Sequence, residues 1–146
     1  MAPGVDDGSV YSTAQALIGE GAIVRLVGPH VGLLRAASGE QIDADASLTN
    51  SPSVVFDAVV VPDGAEAIDA LCKNGLALEY VRDAFRHAKT MMAIGEGRRL
   101  LQQAGIPLAQ PDKGLILAAD TGSTADFIKA VGQHRHPERE TVPPLV

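Results

Sequence analysis

Aromatic residues are scarce in this chain, 3% of 146 residues with no tryptophan, so Val, Ile, Leu and Ala must fill any interior. Cysteine occurs once, as Cys72, which excludes an internal disulfide and suits a reducing compartment. Positive charge is also short: 12 Lys and Arg face 18 Asp and Glu, for a net charge of −6 and a pI near 5.1. Nucleic acid is therefore not an expected partner, because neutralising phosphates needs a basic surface. No apolar run approaches a membrane span, and the first residues lack the basic, apolar, small-residue order of a secretory signal. These absences leave a soluble cytoplasmic domain, with neither nucleic acid nor membrane as a partner, as the expectation. At 15.1 kDa the chain is long enough for one core and too short for two.

What is present is an alternation of helical and extended patterns. Residues 9–20 read as a helix with Val10, Ala14, Leu17 and Ile18 on one face and Asp7 or Ser9 as N-cap. Residues 22–27 (AIVRLV) read as a strand, and 31–45 as a hairpin with strands near 32–35 and 40–43 and its turn at Ser38 and Gly39. Residues 56–61 (FDAVVV) form an apolar run of the kind buried on both faces of a parallel sheet, closed by Pro62, Asp63 and Gly64. Two helices follow, separated by Gly75. The first places Ile68, Leu71 and Cys72 on one face; the second places Ala77, Val81, Ala84, Phe85 and Ala88. The last strand is 115–118 and the last helix 123–131, capped by Asp120 or Thr121. This order implies a doubly wound parallel sheet with helices on both faces, spanning 1–132, and a polar, proline-containing tail at 133–146.

The most telling stretch is 90–101 (TMMAIGEGRRLL). A strand-length apolar run ends at Ile94, Gly95-Glu96-Gly97 breaks it, and a helical pattern starts at Arg98 and runs to Ala104. Such strand-to-helix turns display the nucleophile of many α/β enzymes beside helix N–H groups. Here Gly95 holds the displayed position and offers no nucleophile.

Ala93-Ile94-Gly95-Glu96-Gly97 resembles the elbow of the PfpI-like (class I glutamine amidotransferase-like) superfamily, which reads Ala-Ile-Cys-His-Gly. Together with Pro52 through Pro62 (PSVVFDAVVVP) and Arg86 through Lys89 (RHAK), it resembles more narrowly the C-terminal domain of large-subunit haem catalases. That resemblance covers essentially the whole chain and implies a flavodoxin-like fold. It implies a non-catalytic accessory domain that contributes stability or chaperone-like protection. The parent would decompose hydrogen peroxide as a homotetramer, with haem and the catalase core upstream and no cofactor in this chain. It implies, too, an apolar strand before the loop Ala2-Pro3-Gly4-Val5-Asp6, so the N-terminal strand is missing here and Met1 reads as an internal or truncated start. The corresponding family site would use Asp6, the turn at Gly64, and the elbow at Gly95 and Glu96, which form a degenerate pocket. Without a thiol, no tuning by Asp6 yields covalent catalysis.

Other chemistry is weakly supported. Cys72, at helical spacing with Ile68 and Leu71, reads as a buried, inert core thiol. His134 and His136 lack further ligands, and His30 and His87 are isolated, so no metal site is expected. Gly95-Glu96-Gly97 lacks the third glycine of a dinucleotide fingerprint, and Leu100 stands there. Two rival readings are a stand-alone PfpI-like hydrolase, glyoxalase or deglycase, which the missing nucleophile disfavours, and a module that binds a small molecule or partner in the degenerate pocket.

Overall fold

A computed structural model describes residues 1–133. The elements in chain order are α1 (Asp7–Gly19), β1 (Val27–Gly28), β2 (Gly32–Arg35), β3 (Gln41–Ala44), β4 (Ala46–Ser47), β5 (Ala58–Val61), α2 (Ala65–Cys72), α3 (Gly75–Arg86), β6 (Thr90–Ile94), α4 (Arg98–Gln103), β7 (Leu115–Ala118) and α5 (Thr124–Val131).

The centre is a parallel sheet in the order β5-β6-β7, with Val60 opposite Met92 and Met92 opposite Ile116. Side chains alternate along each strand, so the sheet has two apolar faces. Val59, Val61, Met91, Ala93, Leu115 and Leu117 join the larger core with α2, α3 and α4. Ala58, Val60, Met92, Ile94, Ile116 and Ala118 turn the other way and meet Phe127 of α5 and Leu17 of α1. All five residues of β6 are buried; Met91 to Ile94 are apolar, and the one polar side chain, Thr90, donates its hydroxyl to the Ala130 carbonyl at 3.3 Å. The helices lie on both faces, as the alternation implies.

Several local expectations are corrected. Asp6, not Asp7 or Ser9, is the N-cap of α1; its carboxylate accepts from the Ser9 N–H at 3.0 Å. Ile18 is 59% exposed rather than inward, because α1 buries Ser9, Val10 and Thr13 instead. Gly75 opens α3 rather than separating the helices, and Asn74 caps it through Leu76 and Ala77. Ala88 lies beyond α3 with φ 57°, though buried. The hairpin β2–β3 forms, with its second strand one residue later than expected. Asp120 caps the short 3-10 turn at Thr121–Ser123, ahead of α5. The tail with His134 and His136 lies outside the described residues.

The largest correction concerns the 22–27 strand. Only Val27 and Gly28 pair, in parallel with Ala46 and Ser47, while Ile23 is 85% exposed. A strand needs a neighbour for its N–H and C=O groups, and no strand pairs with 22–26 among the described residues, where Leu26 donates to the Asp45 carboxylate and accepts from the Asp45 N–H. The other edge of β5 is likewise unpaired there, and Ala58, Val59 and Val60 are only half-buried. Met1 lies against the end of the first of these segments. Its amino group donates to the Val27 carbonyl at 2.8 Å, and five residues on the Asp6 N–H donates to the Asp63 carbonyl at 2.9 Å.

That placement encloses a cationic nitrogen in apolar surroundings, and burial lowers the Met1 amino pKa from 8.0 to about 6. The unfolded chain therefore binds more protons between pH 6 and 8, so stability rises with pH through this window. The penalty is fully present below it and absent above it, and amounts to roughly 2–3 kcal/mol. Urea denaturation of the 146-residue chain across this range is expected to show that rise. Nα-acetylation should abolish the part due to Met1; an unchanged slope would contradict the enclosed amine. Adding an apolar strand of about six residues before Met1 should raise the melting temperature, since it supplies hydrogen-bond partners to two open edges. No change would mean that neither edge receives the added strand.

Candidate functional site

The site sits at the C-terminal ends of β5 and β6, where two chain reversals meet. After β5, Gly64 (φ 132°) lets the chain cross directly over the N-terminal segment. A Cβ there would lie 2.8 Å from the Gly4 carbonyl oxygen and from the Val5 Cα. After β6, Gly95 takes φ 54°, the left-handed region that glycine enters most readily, and a 3-10 turn, Gly95–Gly97, leads into α4. The strand-to-helix elbow predicted from the sequence is thus present, with its displayed residue reduced to glycine.

All four residues of the expected pocket are brought together around a fifth, Asp63. Its Oδ1 accepts from the Gly64 N–H at 2.8 Å and from the Glu96 N–H at 2.9 Å. A Cβ on Gly95 would fall on this carboxylate. The Asp63 N–H donates to Ser9 Oγ at 3.1 Å, and Ser9 Oγ donates to the Asp6 carbonyl at 2.9 Å. The Gly64 and Glu96 N–H groups therefore already hold an acceptor. Asp63 reads in the sequence as part of the turn that closes the 56–61 run. The Pro62-Asp63-Gly64 turn signal predicts the bond to Gly64, whereas the bond to Glu96 depends on the tertiary approach of the elbow.

The side chains of the other members point to structural work. The Asp6 carboxylate caps α1. Glu96 contributes its N–H, while its carboxylate pairs with Arg99 at 2.9 Å, and Arg99 reaches Asp69 at 2.6 Å. These pairs are solvent-exposed and contribute little to stability. Cys72 is half-buried rather than fully buried, and packs on the larger core. Burial pushes its thiol pKa up; nearby Arg99 opposes that and Asp69 reinforces it. A raised pKa disfavours the thiolate, in keeping with an unreactive cysteine. An open groove beside α4, lined by Arg98, Gln102, Ile106 and Leu108, contains none of the pocket residues.

A family model described as the C-terminal domain found in long catalases matches residues 6–141. The chain belongs to this family. Among curated relatives of this catalase C-terminal domain, Catalase HPII of Pseudomonas putida is 38% identical over 140 residues, covering 96% of this chain and 19% of the relative. Catalase C of Rhizobium meliloti is 36% identical over 132 residues, covering 90% and 19%. The domain thus spans about a fifth of the length of the curated relatives it matches. Solved structures agree on a DJ-1/ThiJ/PfpI-like, flavodoxin-like fold. Drosophila melanogaster DJ-1beta superposes with a TM-score of 0.77 at 18% identity, covering 100% of this chain and 96% of that one. A two-domain protein from Anabaena variabilis, containing DJ-1/ThiJ/PfpI-like and ferritin-like domains, gives 0.79 at 21%, covering 91% and 46%.

In this catalase C-terminal domain, Gly95→Ala is expected to lower stability by about 2 kcal/mol or more. Its φ disfavours a Cβ, and that Cβ would also displace the Asp63 carboxylate. Urea denaturation measures this, and a loss below about 0.5 kcal/mol would show that the elbow relaxes freely.

Proposed function

We propose that this chain is a non-catalytic accessory domain of a large-subunit haem catalase, whose parent decomposes hydrogen peroxide. The observation that carries this reading is the elbow itself. Where a nucleophile would stand there is Gly95, and above it the Asp63 carboxylate takes up the neighbouring amide donors. Acyl or aldehyde chemistry of the PfpI-like kind needs an attacking thiol and free donors for the developing oxyanion. Both requirements go unmet at this elbow, which weighs against a stand-alone hydrolase, glyoxalase or deglycase.

The expected role is packing: a domain joined to the catalase core of its parent, adding stability or chaperone-like protection within a homotetramer in the cytoplasm. No described helix is long and apolar enough to cross a membrane. The two histidines among the described residues, His30 and His87, are both exposed and lie on separate parts of the chain. By likeness to the long catalases, haem would be held by the upstream part of the parent.

Two measurements test this. The purified chain is expected to show no Soret band after haem incubation and no peroxide turnover above buffer; stoichiometric haem with turnover would overturn the assignment. In the parent, deleting the domain should leave haem content intact while shortening the half-life of activity on heating. An unchanged half-life would remove the stabilising role.

A further inference from the structure

The turn after β5 is not an open cradle, because one of its own side chains crosses to the elbow. The bond between Glu96 N–H and Asp63 Oδ1 joins residues 33 positions apart, and the second amide, Gly64 N–H, converges on the same oxygen. The Asp63 backbone is fixed on both sides, through Ser9 Oγ and through the Asp6 N–H. The carboxylate is therefore presented by a held backbone, and any side chain at position 95 would compete with it for one volume.

We propose that Asp63 is a plug built into the elbow, an intramolecular carboxylate that closes the degenerate site to carboxylate ligands from outside. A carboxylate accepting backbone N–H bonds makes a strong, charge-assisted contact. Being tethered, it is present at an effective concentration on the order of millimolar or above, which an outside carboxylate must exceed to displace it. Closure is thus a second change, distinct from the loss of the nucleophile, and it stands on the local geometry whatever the parent does.

Chemical rescue tests the plug. Melting of the whole chain is followed in sodium acetate and in sodium chloride of equal ionic strength, for the wild type, Asp63→Ala and Asp63→Asn. Asp63→Ala leaves two amide donors without their acceptor and is expected to melt lower by about 4–8 °C. Acetate should recover at least half of that loss in a saturable way. The wild type and Asp63→Asn, which retain an acceptor oxygen, should respond to acetate no more than to chloride. Equal responses of Asp63→Ala to the two salts, or a wild-type response as large, would overturn the proposal. Hydrogen exchange in the wild type keeps the test independent of how well Asp63→Ala folds: the Gly64 and Glu96 amides should be protected, and acetate should change their exchange no more than chloride does. Exchange slowed by acetate alone would show that the two amides stand open to an outside carboxylate and would overturn the proposal.

Discussion

The structure turns on how Asp63 is held. Its carbonyl fixes the N-terminal segment, its N–H engages Ser9 at the start of α1, and its carboxylate gathers the amides that open the turn before α2 and the elbow after β6. Three stretches of chain distant in sequence, 6–9, 63–64 and 95–96, are thereby set in register by one residue. Each bond alone is worth about 1 kcal/mol net. Their joint effect is larger, because loosening any one frees the others to solvent, and because the crossing at Gly64 leaves no room for adjustment.

This arrangement shows how an enzyme-like elbow keeps its geometry with glycine at its displayed position. A strand-to-helix elbow and a glycine crossing are demands of the parallel sheet, since each strand must reverse sharply into a helix that covers one face. They persist when the displayed residue is glycine. The membership in the family of C-terminal domains found in long catalases, together with the fold likeness to DJ-1/ThiJ/PfpI proteins, sets that geometry in context. A fold of this kind does not carry a function by itself.

The fold was legible in the sequence wherever a segment's pattern matched its surroundings. The apolar run 90–94 is a strand because both of its faces are covered, and α3 follows its spacing from Ala77 to Phe85 because one core meets one stripe. Residues 22–26 carry an equally strong strand pattern and do not form a strand, because extended backbone needs a partner that no sequence window supplies. Ile18 was misplaced for a related reason: helical spacing names a stripe, but which part of it is buried depends on what lies opposite. At the site, the elbow and the loss of its nucleophile could be read directly. The Glu96–Arg99 pair is a local i,i+3 contact, whereas the reach of Asp63 across the elbow depends on tertiary approach and leaves no local signature.

The account stands most directly on whether the two elbow amides are closed by Asp63 in the native chain. Hydrogen exchange of the Gly64 and Glu96 amides, resolved by NMR and compared with the amides of β6, measures this. Protection comparable to that of β6 in the wild type, lost selectively at Gly64 and Glu96 in Asp63→Ala while β6 stays protected, is the predicted result. Rapid exchange of both amides in the wild type, or protection indifferent to the substitution, would contradict it.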